Sequence, residues 1–179
     1  MTGARSAQRP AIVLVLGGTR SGKSRHAREL ARRLGGQRVA FVATARTGED
    51  PDFDRRIARH RAERPADWET IEAAVDLAGA IGAAPSGRLL LVDSLALWIA
   101  ALLDASGDLD AAWPRLERAV RSRAAGVVLV SDEVGLAPVA PTALGRRFVD
   151  ALGATNQRAA ALADEVHLVV AGLPVRVKP

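Results

Sequence analysis

Short apolar runs recur along the chain and alternate with longer segments of mixed apolar and polar residues. Runs rich in Val, Leu and Ile lie at 11–16, 38–43, 88–93, 126–131 and 165–170. A strand that is apolar at every position is typical of a parallel sheet, because helices cover both of its faces. The pattern therefore predicts an α/β fold in which a mostly parallel sheet carries helices on both sides.

The segments between these runs have the period of amphipathic helices. They predict helices at about 22–34, 51–63, 73–83, 94–104, 109–123 and 141–163. Asp50 and Pro51 offer an N-cap and a first-turn proline to the second of these helices, and Pro141 opens the last one. The final apolar run, at 175–177, predicts an edge strand. We expect residues 1–10 to form a flexible tail and residues 11–179 to form a single domain.

Composition narrows the class of protein. Nearly half of the 179 residues are apolar, which excludes a disordered chain. No stretch approaches the roughly 20 apolar residues of a membrane span, and the first apolar run is too short for a signal peptide. We therefore expect a cytoplasmic protein. The absence of cysteine excludes disulfides, thiolate catalysis and Cys-based metal sites. The net charge is +5, and almost all of the basic residues are arginine. This charge permits a nucleic acid or a triphosphate as partner. Genomic base bias, however, also produces arginine-rich compositions.

The first apolar run leads directly into the sequence GGTRSGKS, which fits the phosphate-binding pattern G-x-x-x-x-G-K-[ST]. Gly17 and Gly22 permit backbone torsions that turn successive N–H groups towards phosphate oxygens. The following helix adds the partial positive charge of its N-terminus. In such a P-loop the lysine, here Lys23, contacts the β- and γ-phosphates as a solvent-facing ligand, and Ser24 ligates Mg²⁺.

Acidic residues close two of the predicted strands. Asp93 ends the run at 88–93, where a P-loop protein commonly places a carboxylate that acts on the magnesium ion. The alternative is that Asp93 caps the helix predicted at 94–104, and both roles can coexist. Asp132 and Glu133 follow the run at 126–131. Since ligands of open α/β sheets lie at the carboxyl ends of strands, they are candidate Mg²⁺ or substrate contacts, with simple capping as the alternative.

Three histidines occur, and their surroundings differ. His26 in the P-loop helix and His167 in a buried strand favour structural roles. His60 lies in the basic segment RRIARHRAER (55–64). By spacing alone it is best interpreted as a core-facing residue of a solvated helix. The alternative is a nucleophile, because neighbouring cations and partial burial favour the neutral imidazole that can attack phosphorus. The arginines would then balance charge on the leaving pyrophosphate.

Taken together, the motifs resemble the bifunctional adenosylcobinamide kinase / adenosylcobinamide-phosphate guanylyltransferase family. The resemblance covers nearly the whole chain after the tail. It runs in order through LVLGGTRSGKSRHAREL, FVATA, RIARHRAERPADWETIE, LLLVDSLALW, VLVSDEVG and LGATNQRAAALADEVHLVVAGLP. The resemblance implies a RecA-like P-loop fold and a homotrimer.

The activity implied by the resemblance has two steps. A nucleoside triphosphate, ATP or GTP, phosphorylates the aminopropanol hydroxyl of adenosylcobinamide. GTP then guanylylates a histidine, which corresponds to His60, and the GMP passes to the new phosphate. Lys23 is the second catalytic residue, and Mg²⁺ is expected on Ser24 and Asp93. The nucleotide contacts correspond to Gly17, Gly18, Thr19, Arg20, Ser21, Gly22, Lys23, Ser24, Ala43, Thr44, Ala45, Arg61, Ala62, Glu63, Arg64, Glu72 and Asp93.

Two alternatives remain at the level of sequence. The first is a P-loop kinase of another small molecule, in which His60 is structural and no covalent nucleotidyl intermediate forms. The second is an arginine-rich P-loop module that binds nucleic acid. Because aromatic residues make up only 3% of the chain, few side chains are available for base stacking, and we expect no nucleic-acid partner. The corrinoid substrate itself rests on the resemblance.

Overall fold

Seven strands form one sheet in the part of the chain that the structure describes. The computed structural model describes residues 11–45, 55, 57–58, 61–62, 64–136 and 138–179. The strands are β1 (Ile12–Gly17), β2 (Val39–Ala43), β3 (Glu69–Glu72), β4 (Leu89–Asp93), β5 (Val127–Asp132), β6 (Glu165–Val170) and β7 (Leu173–Lys178). Their order is β3-β2-β4-β5-β1-β6-β7, and every neighbouring pair is parallel except β6 and β7. The predicted mostly parallel α/β fold is confirmed.

Helices cover both faces of this sheet. They are α1 (Lys23–Gly35), α2 (Leu77–Ala83), α3 (Leu95–Asp104), α4 (Leu109–Arg121) and α5 (Ala143–Leu162). Adjacent residues of β1 supply the two cores: Val13 packs with Ala27 and Leu30 of α1, whereas Leu14 packs in the cluster formed with α2 to α5. This two-sided burial explains the unbroken apolar runs. None of the helices formed by the described residues is long and apolar enough to cross a membrane.

Some predicted boundaries were wrong for identifiable reasons. Strand β3 was not predicted, because its sequence ETIE has no continuous apolar run and lies mostly exposed at the sheet edge. The helix predicted from 73 begins at Leu77, after Asp76 caps it by accepting from Gly79 N. Pro141 was predicted to open α5, whereas the helix begins at Ala143 with Thr142 as its N-cap, so Pro141 precedes the helix. The edge strand predicted at 175–177 is confirmed within β7.

The helix predicted at 51–63 lies largely outside the described residues, and Asp50 and Pro51 are among those not described. The described residues 55, 57–58 and 61–62 are helical.

One buried arginine links the end of α4 to the connection between α2 and β4. Arg123, 8% exposed, follows α4, and its guanidinium donates to the carbonyl oxygens that surround the α2–β4 connection. The Nη1–Ala84 O distance is 2.7 Å, and Pro85 O and Arg88 O accept from Nη2. Burial lowers the pKa of Arg123. This arginine therefore has a structural role.

Candidate active site

The turn between β1 and α1 is built around two glycines. A Cβ on Gly17 would lie 2.4 Å from Ser21 Oγ and 2.8 Å from the Val169 carbonyl oxygen, so a larger residue does not fit. Gly22 has φ 93°, and Arg20 is also left-handed with φ 59°. Gly22 is the N-cap residue of α1 and has no side chain to occupy the helix terminus. A helix N-terminus of this kind favours an anion.

Lys23 is buried, which corrects the expectation that it faces solvent. Its side chain is 8% exposed, and its Nζ lies 2.7 Å from Asp132 Oδ1. The same Nζ donates to the Gly18 carbonyl oxygen at 3.3 Å. The pairing of β1 with β5 sets Gly17 opposite Asp132 and so brings the two charges together. The turn thus holds a cation at its centre, balanced by a carboxylate of the neighbouring strand.

A cavity of about 310 Å³ lies at the carboxyl ends of β1, β4 and β5. One part of its wall is polar and consists of the P-loop residues Thr19, Lys23 and Ser24, the acidic residues Asp93, Asp132 and Glu133 at the strand ends, and Ser94 and Arg64. The other part is apolar and consists of Phe41, Ala45, Ile57, Ala96, Leu97, Ala100, Val134 and Phe148. Ser24 and Asp93, the predicted metal ligands, therefore border one cavity together with Lys23.

The helix cap after β4 is Ser94, not Asp93. Ser94 Oγ accepts from Leu97 N at 3.4 Å, which leaves the Asp93 carboxylate out of this role. Thr44 supports this turn from β2: its Oγ1 donates to Ser94 O at 2.8 Å and accepts from Ser94 N at 2.7 Å. Thr44 is 1% exposed. Its hydroxyl therefore positions the strand end that carries Asp93, a role that sequence motifs do not reveal.

Glu133 is oriented by the backbone around it. Its N–H donates to the Gly17 carbonyl oxygen at 3.1 Å, and its Oε1 accepts from Gly135 N at 2.7 Å. Asn156 of α5 supports the same strand end by donating to Asp132 O at 3.0 Å. The carboxylates of Asp132 and Glu133 thus both border the cavity on a well-anchored segment.

A second hollow, of about 350 Å³, adjoins the first, and Arg64 lines both. Arg61 forms an ion pair with Glu72 at 3.0 Å on its rim. The Arg64 guanidinium lies 3.9 Å above the Phe41 ring. Burial lowers the pKa of Arg64, and the Glu72 carboxylate opposes this effect. Arg64 Nε and Trp68 Nε1 are buried donors that have no acceptor among the described residues.

The hairpin of β6 and β7 contacts both the P-loop and helix α1. Gly172 N donates to Ser21 O at 2.8 Å. His26 Nε2 lies 2.8 Å from His167 Nδ1, and His167 Nε2 lies 3.4 Å from a Glu165 carboxylate oxygen. Burial, and then the charge of His167, lower the pKa of His26. The two histidines thus contact each other and link α1 to the hairpin, which neither motif suggested.

The remaining predicted site residues fall into three groups. Ala43 is buried at the end of β2, and Ala45 reaches the cavity wall. Ala62 is helical and exposed beside the second hollow's Arg61. His60 and Glu63 lie outside the described residues, so their predicted roles stay predictions.

The fold has a solved counterpart at low sequence identity. The flagellar accessory protein FlaH from Methanocaldococcus jannaschii aligns with a TM-score of 0.54 and 12% identity, over 94% of this chain and 78% of that one. This likeness concerns the fold alone. Together with the P-loop and the parallel sheet order, it fits a RecA-like P-loop fold.

Comparisons at the level of sequence identify the family. A family model for cobinamide kinase / cobinamide phosphate guanyltransferase matches residues 13–177. The bifunctional adenosylcobalamin biosynthesis protein CobP of Pseudomonas aeruginosa is 44% identical over 168 residues, 92% of this chain and 96% of that protein. CobU of Salmonella typhimurium is 38% identical over 184 residues, 93% of this chain and 99% of that protein. The chain therefore belongs to the cobinamide kinase / cobinamide phosphate guanyltransferase family of bifunctional enzymes.

Proposed function

We propose that this family member phosphorylates the aminopropanol hydroxyl of adenosylcobinamide and then transfers GMP to the new phosphate through a guanylylated His60. The product is adenosylcobinamide-GDP. The observation that supports this most strongly is the shared cavity, in which buried Lys23, Ser24 and Asp93 meet at the carboxyl ends of the strands.

In the kinase step, the substrate hydroxyl oxygen attacks the γ-phosphorus of the triphosphate. The bond from the γ-phosphorus to the bridging oxygen breaks, the nucleoside diphosphate leaves, and the hydroxyl proton passes to a base or to water. The P-loop backbone and Lys23 stabilise the charge that spreads over the phosphate oxygens. The ion pair with Asp132 holds the Lys23 ammonium within the loop, which supports this role.

Magnesium fits the donor set of the cavity, since the Ser24 hydroxyl and the Asp93 carboxylate are hard oxygen ligands on one wall. When bound, Mg²⁺ neutralises charge on the β- and γ-phosphate oxygens. Thr44 serves this site indirectly, because it holds the backbone next to Asp93.

In the guanylyl step, an imidazole nitrogen of His60 attacks the α-phosphorus of GTP, and pyrophosphate leaves. A phosphate oxygen of adenosylcobinamide phosphate then attacks the same phosphorus, and the phosphorus–nitrogen bond breaks to regenerate His60. The second hollow is a candidate binding site for this GTP, because of the groups that line it. It offers the guanidinium groups of Arg61 and Arg64, the carboxylate of Glu72 and two buried donors that lack acceptors among the described residues.

The first experiment measures the covalent intermediate. Incubated with GTP labelled at the α-phosphate, the protein is expected to acquire one GMP per chain in an acid-labile, alkali-stable bond, as a phosphorus–nitrogen linkage is. GTP labelled at the γ-phosphate is expected to leave no label. His60→Ala is expected to lose the label and guanylyl transfer while keeping kinase activity, which depends on Lys23 and Ser24.

The matched controls are the other histidines. His26→Asn and His167→Asn are expected to keep the label, since those side chains contact each other rather than the cavity. Equal labelling of the wild type and His60→Ala would rule out His60 as the nucleophile. Kinase activity without label in any variant would favour the simple kinase without a covalent intermediate.

The enzyme is also proposed to assemble as a homotrimer, as the resemblance implies. Supporting this, the edge strand β7 exposes Leu173, Val175 and Val177 at 70%, 54% and 61%. An exposed apolar edge strand offers unpaired backbone groups to another chain, and a monomer normally protects such an edge.

A further inference from the structure

Three large apolar side chains stand exposed in the connection between β5 and α5 and in the first turn of α5. Leu136 is 85% exposed, Val139 84% and Leu144 64%. We call these three residues the apolar rim. Single exposed apolar residues are ordinary, whereas a group next to a binding cavity indicates a contact surface.

The apolar rim continues the apolar wall of the active-site cavity. Val134 lines the cavity two residues before Leu136. Leu144 and Phe148 are four residues apart on α5 and therefore share a face of the helix, and Phe148 also lines the cavity. The wall thus extends out of the cavity along both the loop and the first turns of α5.

Polar contacts hold this segment in place. Arg146 Nη1 donates to Ala140 O at 3.1 Å and to Pro141 O at 3.0 Å. Thr142 Oγ1 accepts from Gly145 N at 3.0 Å. These bonds anchor residues 140–142 to the first turn of α5, between Val139 and Leu144.

The size and chemistry of the cavity indicate which molecule the rim binds. At about 310 Å³ the cavity is at the lower end of small-molecule pockets, and its polar wall surrounds the P-loop. An acceptor hydroxyl must reach that wall beside the triphosphate, while a bulky body that carries the hydroxyl must remain outside. The rim borders the apolar side through which such a body would extend.

We propose that the apolar rim binds the corrin body of cobinamide and directs its aminopropanol arm into the cavity. This inference rests on the proposed function, because it takes cobinamide as the acceptor. It assigns Leu136, Val139 and Leu144 to acceptor binding and leaves the nucleotide to the polar wall.

The test compares Leu136→Ser/Val139→Ser with Leu34→Ser. Leu34 is 48% exposed and borders a separate hollow near Ala11 and Gly126, at the amino ends of the strands. The double variant is expected to raise the KM for adenosylcobinamide about tenfold, which corresponds to about 1.4 kcal/mol of lost contact. Its KM for nucleotide and its GMP labelling without corrinoid are expected to match the wild type. Leu34→Ser is expected to change none of these quantities.

The outcomes separate the rim from the rest of the mechanism. An unchanged KM for adenosylcobinamide in the double variant would overturn the rim assignment, whereas a wild type that does not phosphorylate adenosylcobinamide would overturn the proposed function itself. A change in molecular mass on light scattering, with the KM for adenosylcobinamide unaltered, would assign the rim to contact between copies and also overturn the inference. Loss of GMP labelling would show damage to the nucleotide site, and Leu144→Ser then repeats the test from α5.

Discussion

At the scale of single residues, the ion pair between Lys23 and Asp132 is the contact that a phosphate at the proposed site would have to share or replace. The two groups lie 2.7 Å apart, and their side chains are 8% and 25% exposed. Water screens such a pair only in part, so we expect both charges to influence a phosphate bound at the proposed site. Their signs are opposite, and their effects on nucleotide binding should be opposite as well.

Lys23→Ala is expected to lower both the kinase and the guanylyl activity at least about a hundredfold, the usual effect of removing a group that stabilises transition-state charge. Kinase and guanylyl-transfer assays measure the loss of activity in Lys23→Ala.

Asp132→Asn is expected to tighten nucleotide binding several-fold, because it removes a negative charge beside the phosphates and releases Lys23. Isothermal titration with GTP measures the nucleotide affinity of Asp132→Asn. Weaker GTP binding by Asp132→Asn in the presence of Mg²⁺ would contradict this and point to Asp132 as a metal ligand.

At the scale of elements, the β6–β7 turn supports the P-loop by close backbone packing. Gly172 has φ 83°, and its Cα lies 3.3 Å from where a Cβ on Gly22 would be. Its N–H donates to Ser21 O, and the contact between His26 and His167 ties the same hairpin to α1. The shape of the phosphate turn therefore depends on a hairpin distant in sequence.

Gly172→Ala is expected to strain the left-handed turn by about 1–2 kcal/mol and to move its N–H away from Ser21. The nucleotide Kd should rise several-fold even well below the melting temperature, which should itself fall by about 2–4 °C per kcal/mol. Gly153→Ala is the matched control, because that glycine lies within α5 and an added Cβ would meet no atom within 4 Å. It should leave the Kd unchanged and raise the melting temperature. Equal nucleotide Kd values for wild type and Gly172→Ala would exclude a positioning role for the turn.

At the scale of the whole molecule, the sheet ends differently on its two sides. The β3 edge is short and carries charged residues, and Arg88 pairs there with Glu69 at 3.5 Å. The β7 edge is longer and displays apolar side chains. Charged edges discourage association, whereas apolar edges favour it. The proposed contact between copies is therefore expected at β7.

Val175→Lys is expected to dissociate the proposed homotrimer, because it places a charge in the middle of the apolar edge. Light scattering coupled to size-exclusion chromatography measures the mass. Leu34→Lys introduces the same charge at an exposed apolar position away from β7 and should leave the mass unchanged. A trimer that survives Val175→Lys would place the interface elsewhere, and a monomeric wild type would contradict the assembly.

The sequence alone determined the features that depend on neighbouring residues. Apolar runs predicted the buried strands, because the side chains on both faces of a covered strand are buried and therefore apolar. The spacing from Gly17 to Ser24 predicted the phosphate turn, since glycine torsions and a following helix are local properties. Short motifs in order also carried the resemblance to the family, and that resemblance implied the two activities.

Only the tertiary structure decided what depends on contacts between distant segments. The strand order paired β5 with β1 and so placed Asp132 beside Lys23. The hydroxyl of Thr44 was assigned to the Ser94 turn, and Arg123 was distinguished from the many surface arginines by its burial among backbone carbonyl groups. Strand pairing and packing are non-local, and identical local patterns are compatible with several arrangements. For that reason periodicity predicted the strands of this enzyme, while the architecture of its cavity came from the order in which those strands pair.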